Sequence, residues 1–156
     1  MIELSIPGRG DFVLNHAVMD VNGTLATDGR LLKGVEPRLI ALADQIELHL
    51  LTADTHGRQS EIDAALKLVA TRVQPGNEIG QKTEFVNALG ADSVIAIGNG
   101  ANDVGMLKAA AIGIAIVGEE GLSVEAMLAA DVVCPTIIDA LDMLLIPQRL
   151  RATLRR

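Results

Sequence analysis

The stretch Val18-Met19-Asp20-Val21-Asn22-Gly23-Thr24-Leu25 decides how the rest of the chain is read. Before it, the apolar run Phe12-Val13-Leu14 through Ala17-Val18-Met19 predicts a buried strand that stops at Asp20. A carboxylate at the C-terminal end of a strand, followed at once by Asn-Gly, stands where open α/β sheets place their ligands. Gly23 permits a sharp turn and leaves room for an anion to approach successive main-chain N–H groups. One reading makes Asp20 a nucleophile that takes a phosphoryl group. The other makes it a strand-end residue that caps a turn, a common use of Asp and Asn. The stretch by itself leaves both open, and the other strand ends have to decide.

Composition narrows the partners. The 156 residues suffice for one domain with a full core, expected to span 1–156 with an N-terminal hairpin strand over 1–12 and a helical tail over 137–156. A net charge of -7 argues against nucleic acid or an anionic membrane surface. Phe12 and Phe85 are the only aromatic residues, too few for a base-stacking platform. The single Cys134, after Val132-Val133, reads as a small core residue, so no disulfide or thiolate metal cluster forms within one chain. No basic-then-apolar leader opens the chain and no apolar run reaches membrane-spanning length, which predicts a cytoplasmic location.

Outward from the opening stretch, strands and helices alternate. Residues 2–6 alternate apolar and polar before the turn Pro7-Gly8-Arg9-Gly10, predicting a hairpin that leads into the central strand. Residues 34–45 have helical spacing with Pro37 in the first turn, and 46–51 predict a second strand ending at Thr52-Ala53-Asp54-Thr55. A helix is expected over 57–69, a short strand over 71–73, and a helix over 81–89 with Lys82 in its first turn. The buried strand 94–97 closes on Gly98-Asn99-Gly100-Ala101-Asn102-Asp103, ahead of a helix over 104–110 and a strand over 112–117. Gly118-Glu119-Glu120-Gly121 is expected to open a helix reaching Ala130, with the acidic pair favoured by the helix dipole. A last strand covers 132–134, and 137–154 is helical with a break at Pro147. The alternation predicts a doubly wound α/β fold: a mostly parallel sheet, three layers, and no large cap.

Asp20, Thr52, the loop before Lys82, and Asn99 with Asp103 then fall at strand ends along one edge of that sheet. The set suits phosphoryl transfer. A carboxylate attacks phosphorus, a hydroxyl and a lysine hold the equatorial oxygens, and Mg²⁺ offsets the repulsion between two anions.

These residues carry a resemblance. Asp20-Val21-Asn22-Gly23-Thr24 resembles the first motif of the haloacid dehalogenase superfamily, Thr52 its second, Lys82 its third, and Gly98-Asn99-Gly100-Ala101-Asn102-Asp103 its fourth. The fourth motif is most similar to the phosphorylation domain of P-type ATPases, and the chain resembles the small, capless P-type-ATPase-like members of the superfamily. The resemblance implies a Rossmann-like fold and a Mg²⁺-dependent phosphatase acting on a small phosphorylated molecule. It implies Asp20 as nucleophile and metal ligand, and Asn22 as a metal ligand through its main-chain carbonyl. Lys82 would be catalytic and bind phosphate, Thr52, Ala53 and Gly23 would line the phosphate site, and Asn99 and Asp103 would face the metal. A capless site of this kind often takes cover from a second copy of the chain.

Two positions depart from the phosphatase pattern. Such enzymes usually carry a second Asp where Asn22 stands, and an amide cannot move that proton. They also carry Asp where Asn99 stands. The alternative function is therefore a non-catalytic phosphate- or phosphoprotein-sensing module. A receiver-like domain is disfavoured because its phosphorylated Asp lies on a middle strand, and dinucleotide binding because Asp103 replaces the third glycine. Lys82 has a competing reading as a solvated first-turn residue, and Asn102 with Asp103 as helix caps. His16 and His49, in apolar strands, read as satisfied core residues, His56 as a surface residue near the rim, and the arginines from Arg149 to Arg156 as a solvated tail.

Overall fold

The computed structural model describes residues 1–54 and 57–156. Strands β1 (Ile2–Ile6) and β2 (Gly10–Leu14) form an antiparallel hairpin, with Ile2 opposite Leu14. Strand β3 (His16–Asp20) follows, then the two-residue strands β4 (Ala26–Thr27) and β5 (Arg30–Leu31), which pair with each other. Helix α1 (Val35–Ala43), strand β6 (Glu47–Thr52), helix α2 (Gln59–Leu66) and strand β7 (Thr71–Arg72) come next. Helix α3 (Glu78–Ala88) leads to β8 (Val94–Gly98), α4 (Val104–Ala109), β9 (Ile112–Ile116) and α5 (Val124–Ala129). The chain closes with β10 (Val132–Cys134), α6 (Ile137–Leu145) and α7 (Gln148–Leu154).

Six strands form one parallel sheet in the order β10-β9-β8-β3-β6-β7. The chain winds from β3 to β6 and β7, then crosses back to build β8, β9 and β10 on the other side of β3. That reversal opens a crevice at the C-terminal end of β3, where ligands bind in folds of this class. Asp20 stands at that end. The expected α/β architecture is present, and between β3 and α1 the described residues hold only the small β4–β5 hairpin.

Strands β8 and β9 are buried along their whole length because helices cover both faces of the sheet. Successive side chains divide between the layers. Ala17, Met19, Ile95 and Ile97 pack with α1, α6, α7 and the β1–β2 hairpin. Val18, Val94 and Ala96 pack with α3, α4 and α5. The period of two therefore turns Asp20, like Val18, toward the α3–α4 face. The described residues contain no helix long and apolar enough to cross a membrane.

Three expectations are corrected. The run 12–19 is not one strand: Asn15 separates β2 from β3, its N–H donating to the Ser93 carbonyl and its carbonyl accepting from Glu47. The hairpin exposes Val13, so its alternation belongs to a two-stranded ribbon and not to the sheet core. Helix α3 begins at Glu78, because the Asn77 side chain accepts from the Gly80 N–H at 3.2 Å, and Lys82 thus lies in its second turn. Gly118-Glu119-Glu120-Gly121 opens no helix. Gly118 and Gly121 both take positive φ, 60° and 85°, and α5 starts only at Val124.

Candidate active site

Lys82 is the centre of the site. Its Nζ donates to Asp20 Oδ1 at 2.6 Å and to Asp103 Oδ1 at 2.7 Å. Lys82 and Asp103 are fully buried and Asp20 is 5% exposed, so the reading of Lys82 as a solvated residue is excluded. The other oxygen of Asp103 accepts the main-chain N–H groups of Asn99 at 3.0 Å and Gly100 at 2.9 Å. Asp103 thus closes its own turn and pairs with Lys82, while the Asn102 amide donates to Glu78 Oε2 at 2.8 Å and caps no helix. A Cβ on Gly98 would stand 2.5 Å from the Asp103 carboxyl, and only glycine leaves that carboxyl its place.

Thr24 links the two halves of the crevice. Its hydroxyl lies 3.3 Å from Asp20 Oδ2 and 3.2 Å from Asn99 Oδ1, while Asn99 Nδ2 donates to the Gly121 carbonyl at 3.1 Å. At the end of β6, Thr52 Oγ1 accepts from Asn22 Nδ2 at 3.2 Å and from the Asp54 N–H at 2.9 Å. Those two bonds use its lone pairs and leave its hydroxyl proton to donate into the crevice. Ala53 follows, half-buried.

The electrostatics of this arrangement are unbalanced. Two carboxylates face one ammonium in a dry site, leaving one negative charge over. Burial, and then the neighbouring charge of Asp103, push the Asp20 carboxyl up to about 7 against the pull of Lys82. Burial works against the Lys82 charge too, but Asp20 and Asp103 outweigh it and hold the ammonium well above the usual lysine range. Near neutral pH the surplus charge on Asp20 is met by a proton or by a cation. Oxygen groups lie close by: Asn99 Oδ1, linked to Asp20 through the Thr24 hydroxyl, and the Asp103 carboxylate, linked through Lys82. That donor set fits Mg²⁺, a hard ion that takes oxygen ligands.

The structure links Asp20, Lys82 and Asp103 directly and Asn99 through Thr24, and it pairs Asn22 with Thr52 at the neighbouring strand end. Gly23 needs a correction. Its N–H donates to the Ala26 carbonyl at 2.8 Å, and the N–H groups of Thr24, Leu25 and Ala26 all donate to Val21, so these donors are spent inside the turn. The contribution of Gly23 is space. Its φ is +81°, and a Cβ there would stand 2.7 Å from the Asn99 side chain and 2.8 Å from Glu120 Oε2. His56 lies outside the described residues.

Three residues escaped the sequence reading. Thr24 was visible, four residues after Asp20 in the quoted motif, but with no role attached. Gly98 gave only its position at a strand end. Glu120 was read as half of an acidic pair in the first turn of a helix; instead the loop brings its carboxylate over Gly23.

The chain is similar to known proteins. A family model described as haloacid dehalogenase-like hydrolase matches residues 65–136, which include Lys82 and the Gly98–Asp103 turn. An uncharacterised protein of Methanocaldococcus jannaschii is 50% identical over 62 residues, covering 40% of this chain and 67% of that one.

The chain belongs to the haloacid dehalogenase-like hydrolases.

Within that family the similarity extends to P-type ATPases. The phospholipid-transporting ATPase tat-1 of Caenorhabditis elegans is 41% identical over 91 residues, 56% of this chain but 8% of the ATPase. This chain is thus a small fraction of that relative's length. The 3-deoxy-D-manno-octulosonate 8-phosphate phosphatase of Moraxella catarrhalis, solved with magnesium, phosphate and KDO, superposes with a TM-score of 0.65 at 17% identity. That match covers 89% of this chain and 90% of the phosphatase, and it shows the shared fold.

Proposed function

We propose that this chain is a Mg²⁺-dependent phosphohydrolase that works through a phospho-aspartate at Asp20 on a small phosphorylated molecule, with slow turnover. The observation that carries this reading is the buried Asp20–Lys82–Asp103 lattice at the C-terminal end of β3, with contacts of 2.6 and 2.7 Å. An oxygen of Asp20 attacks phosphorus, the P–O bond of the ester breaks, and the leaving oxygen takes a proton from water. A second water then attacks phosphorus, the Asp20 carboxylate leaves, and phosphate departs. Lys82 keeps its charge throughout, orienting Asp20 and offsetting negative charge on the phosphoryl oxygens, while Thr52 donates to one of them. Bound Mg²⁺ would supply the positive charge that lets two anions meet, held by Asp20, the Asn22 carbonyl, Asn99 and Asp103.

The rest of the substrate has a place along the same edge. A recess of about 470 Å³ is lined by Arg30, Lys33 and Arg58 together with Thr27, Asp28 and Glu119. These residues lie in segments that leave the C-terminal ends of β3, β6 and β9, and their cations suit a second anionic group. A second copy of the chain is our candidate for the missing cap. Exposed Val124, Met127 and Leu128 on α5, just after the Glu120 loop, support it, and a monomer at working concentration by light scattering would refute it.

One observation favours the alternative, a phosphate-sensing module. The Asn22 amide is bonded to Thr52 and cannot relay a proton, so the pocket can hold phosphate without passing it on. A hydrolysis screen over small phosphate esters with Mg²⁺, beside beryllium fluoride trapping, separates the two. Turnover that disappears in Asp20→Asn supports the enzyme. Trapping on Asp20 with no turnover of any ester supports the sensor.

A further inference from the structure

The opposite end of the same strands carries a second group of ligating side chains. His16 opens β3 and Glu47 opens β6; the parallel register pairs these two residues and sets His49 beside Val18. The period of two turns all three to the α3 face. His16 Nδ1 lies 3.1 Å from His49 Nε2 and 3.2 Å from Glu47 Oε2, and Glu47 Oε1 lies 3.7 Å from His49 Nε2. Among the described residues this is the one group of three or more His, Cys, Asp or Glu side chains with ligand atoms all within 4.8 Å of one another.

Its geometry is that of a ligand set. Zinc bound at about 2.0–2.1 Å in a tetrahedron keeps neighbouring ligand atoms roughly 3.3 Å apart. The observed separations straddle that value. Two imidazole nitrogens face each other with room for a single proton between them, whereas a cation there would satisfy both lone pairs. Phe85 of α3 meets the His49 ring edge-on, with centroids 5.5 Å apart, and fixes its orientation. The two imidazoles are 19% and 15% exposed, but Glu47 is 65% exposed, which leaves a mouth for the ion and for a water ligand.

We propose that His16, Glu47 and His49 form a site for a divalent transition-metal ion, zinc by preference, that joins β3 to β6 at the end of the sheet away from Asp20. Nitrogen donors select such an ion over Mg²⁺. Four residues of strand separate His16 from Asp20, about 13 Å, so the ion takes no part in chemistry at Asp20. Its effect is on the strand pair that carries Asp20 and Thr52.

The test titrates the full chain with Zn²⁺ alone as probe, in excess Mg²⁺ to occupy the oxygen ligands around Asp20. One zinc should bind per chain and raise the melting temperature. Glu47→Gln changes an exposed group, keeps the fold, and should weaken zinc at least about tenfold. The double variant His16→Gln, His49→Gln should weaken it more than about a hundredfold and remove the visible absorption of four-coordinate cobalt in the Co²⁺-loaded protein. Phosphate-ester hydrolysis in Mg²⁺ should be unchanged in all of these variants. Equal zinc affinity in the double variant, or no zinc bound at micromolar concentration by the native chain, overturns the proposal. If the double variant fails to fold, the Glu47→Gln affinity decides.

Discussion

The two ends of β3 and β6 solve opposite problems with the same pair of strands. At the C-terminal end, Asp20 and Asp103 hold Lys82 in a fully buried lattice whose charges do not cancel. At the N-terminal end, His16 and His49 meet beside an exposed glutamate, with open access. The first end is dry, uses oxygen donors and carries a surplus negative charge. The second is half-wet and mainly nitrogen-lined. Helix α3 touches both, through Lys82 and, three residues on, Phe85. Charge placement, not strand identity, sets the two ends apart.

The largest effect should come from the centre of the dry end. Asp20→Asn should reduce ester hydrolysis to background and abolish beryllium fluoride trapping while circular dichroism stays native. Residual trapping in the variant would break the assignment of the two ends.

Asn22→Asp sharpens the contrast by adding a proton-transfer group to the dry end. Positioned acid–base catalysis contributes about 10²–10⁴-fold, so kcat should rise within that range. A variant that traps beryllium fluoride yet hydrolyses no faster would instead favour the sensing module.

Lys82→Met leaves two buried carboxylates facing each other without their cation. Breaking a buried pair this way costs about 3–5 kcal/mol, to be read by urea unfolding in the absence of metal. Glu47→Gln at the wet end should shift the same midpoint by less than about 0.5 kcal/mol, since it changes an exposed group. Equal effects would mean the two ends do not differ in burial as described.

A smaller effect concerns pH. In the folded protein Asp20 keeps its proton up to about 7, against an ordinary value of 3.8. A group raised in the folded state contributes stability that is full below its unfolded value and lost as pH climbs through its folded one. The metal-free protein should therefore lose stability between about pH 4 and pH 7 on account of Asp20. Asp20→Asn should remove that slope and raise the melting temperature at pH 8 by about 3–6 °C. Added Mg²⁺ should flatten the slope in the native chain. A slope identical in native and variant protein would show that another group is responsible.

The local sequence was enough for the parts of this molecule that depend on near neighbours. Apolar runs ending in a polar residue located β3, β6 and β8, and the order of strands and helices required a parallel sheet with its ligand edge at Asp20. The Asp20–Leu25 turn was legible for the same reason: its hydrogen bonds close within six residues. Boundaries failed where one side chain or one backbone angle decides them, at Asn77 and at Gly118 and Gly121. Pairings between distant residues were a different matter. Lys82 meets Asp20 across 62 positions and Asp103 across 21, and the three become a buried, charge-unbalanced lattice only when α3 packs on that face of the sheet. His16 and His49, 33 positions apart, read singly as core histidines, and strand register alone made them neighbours. Glu120 reached the crevice because two left-handed glycines replaced an expected helix with a loop. Periodicity reports which face a residue turns to, and only packing decides what stands opposite it.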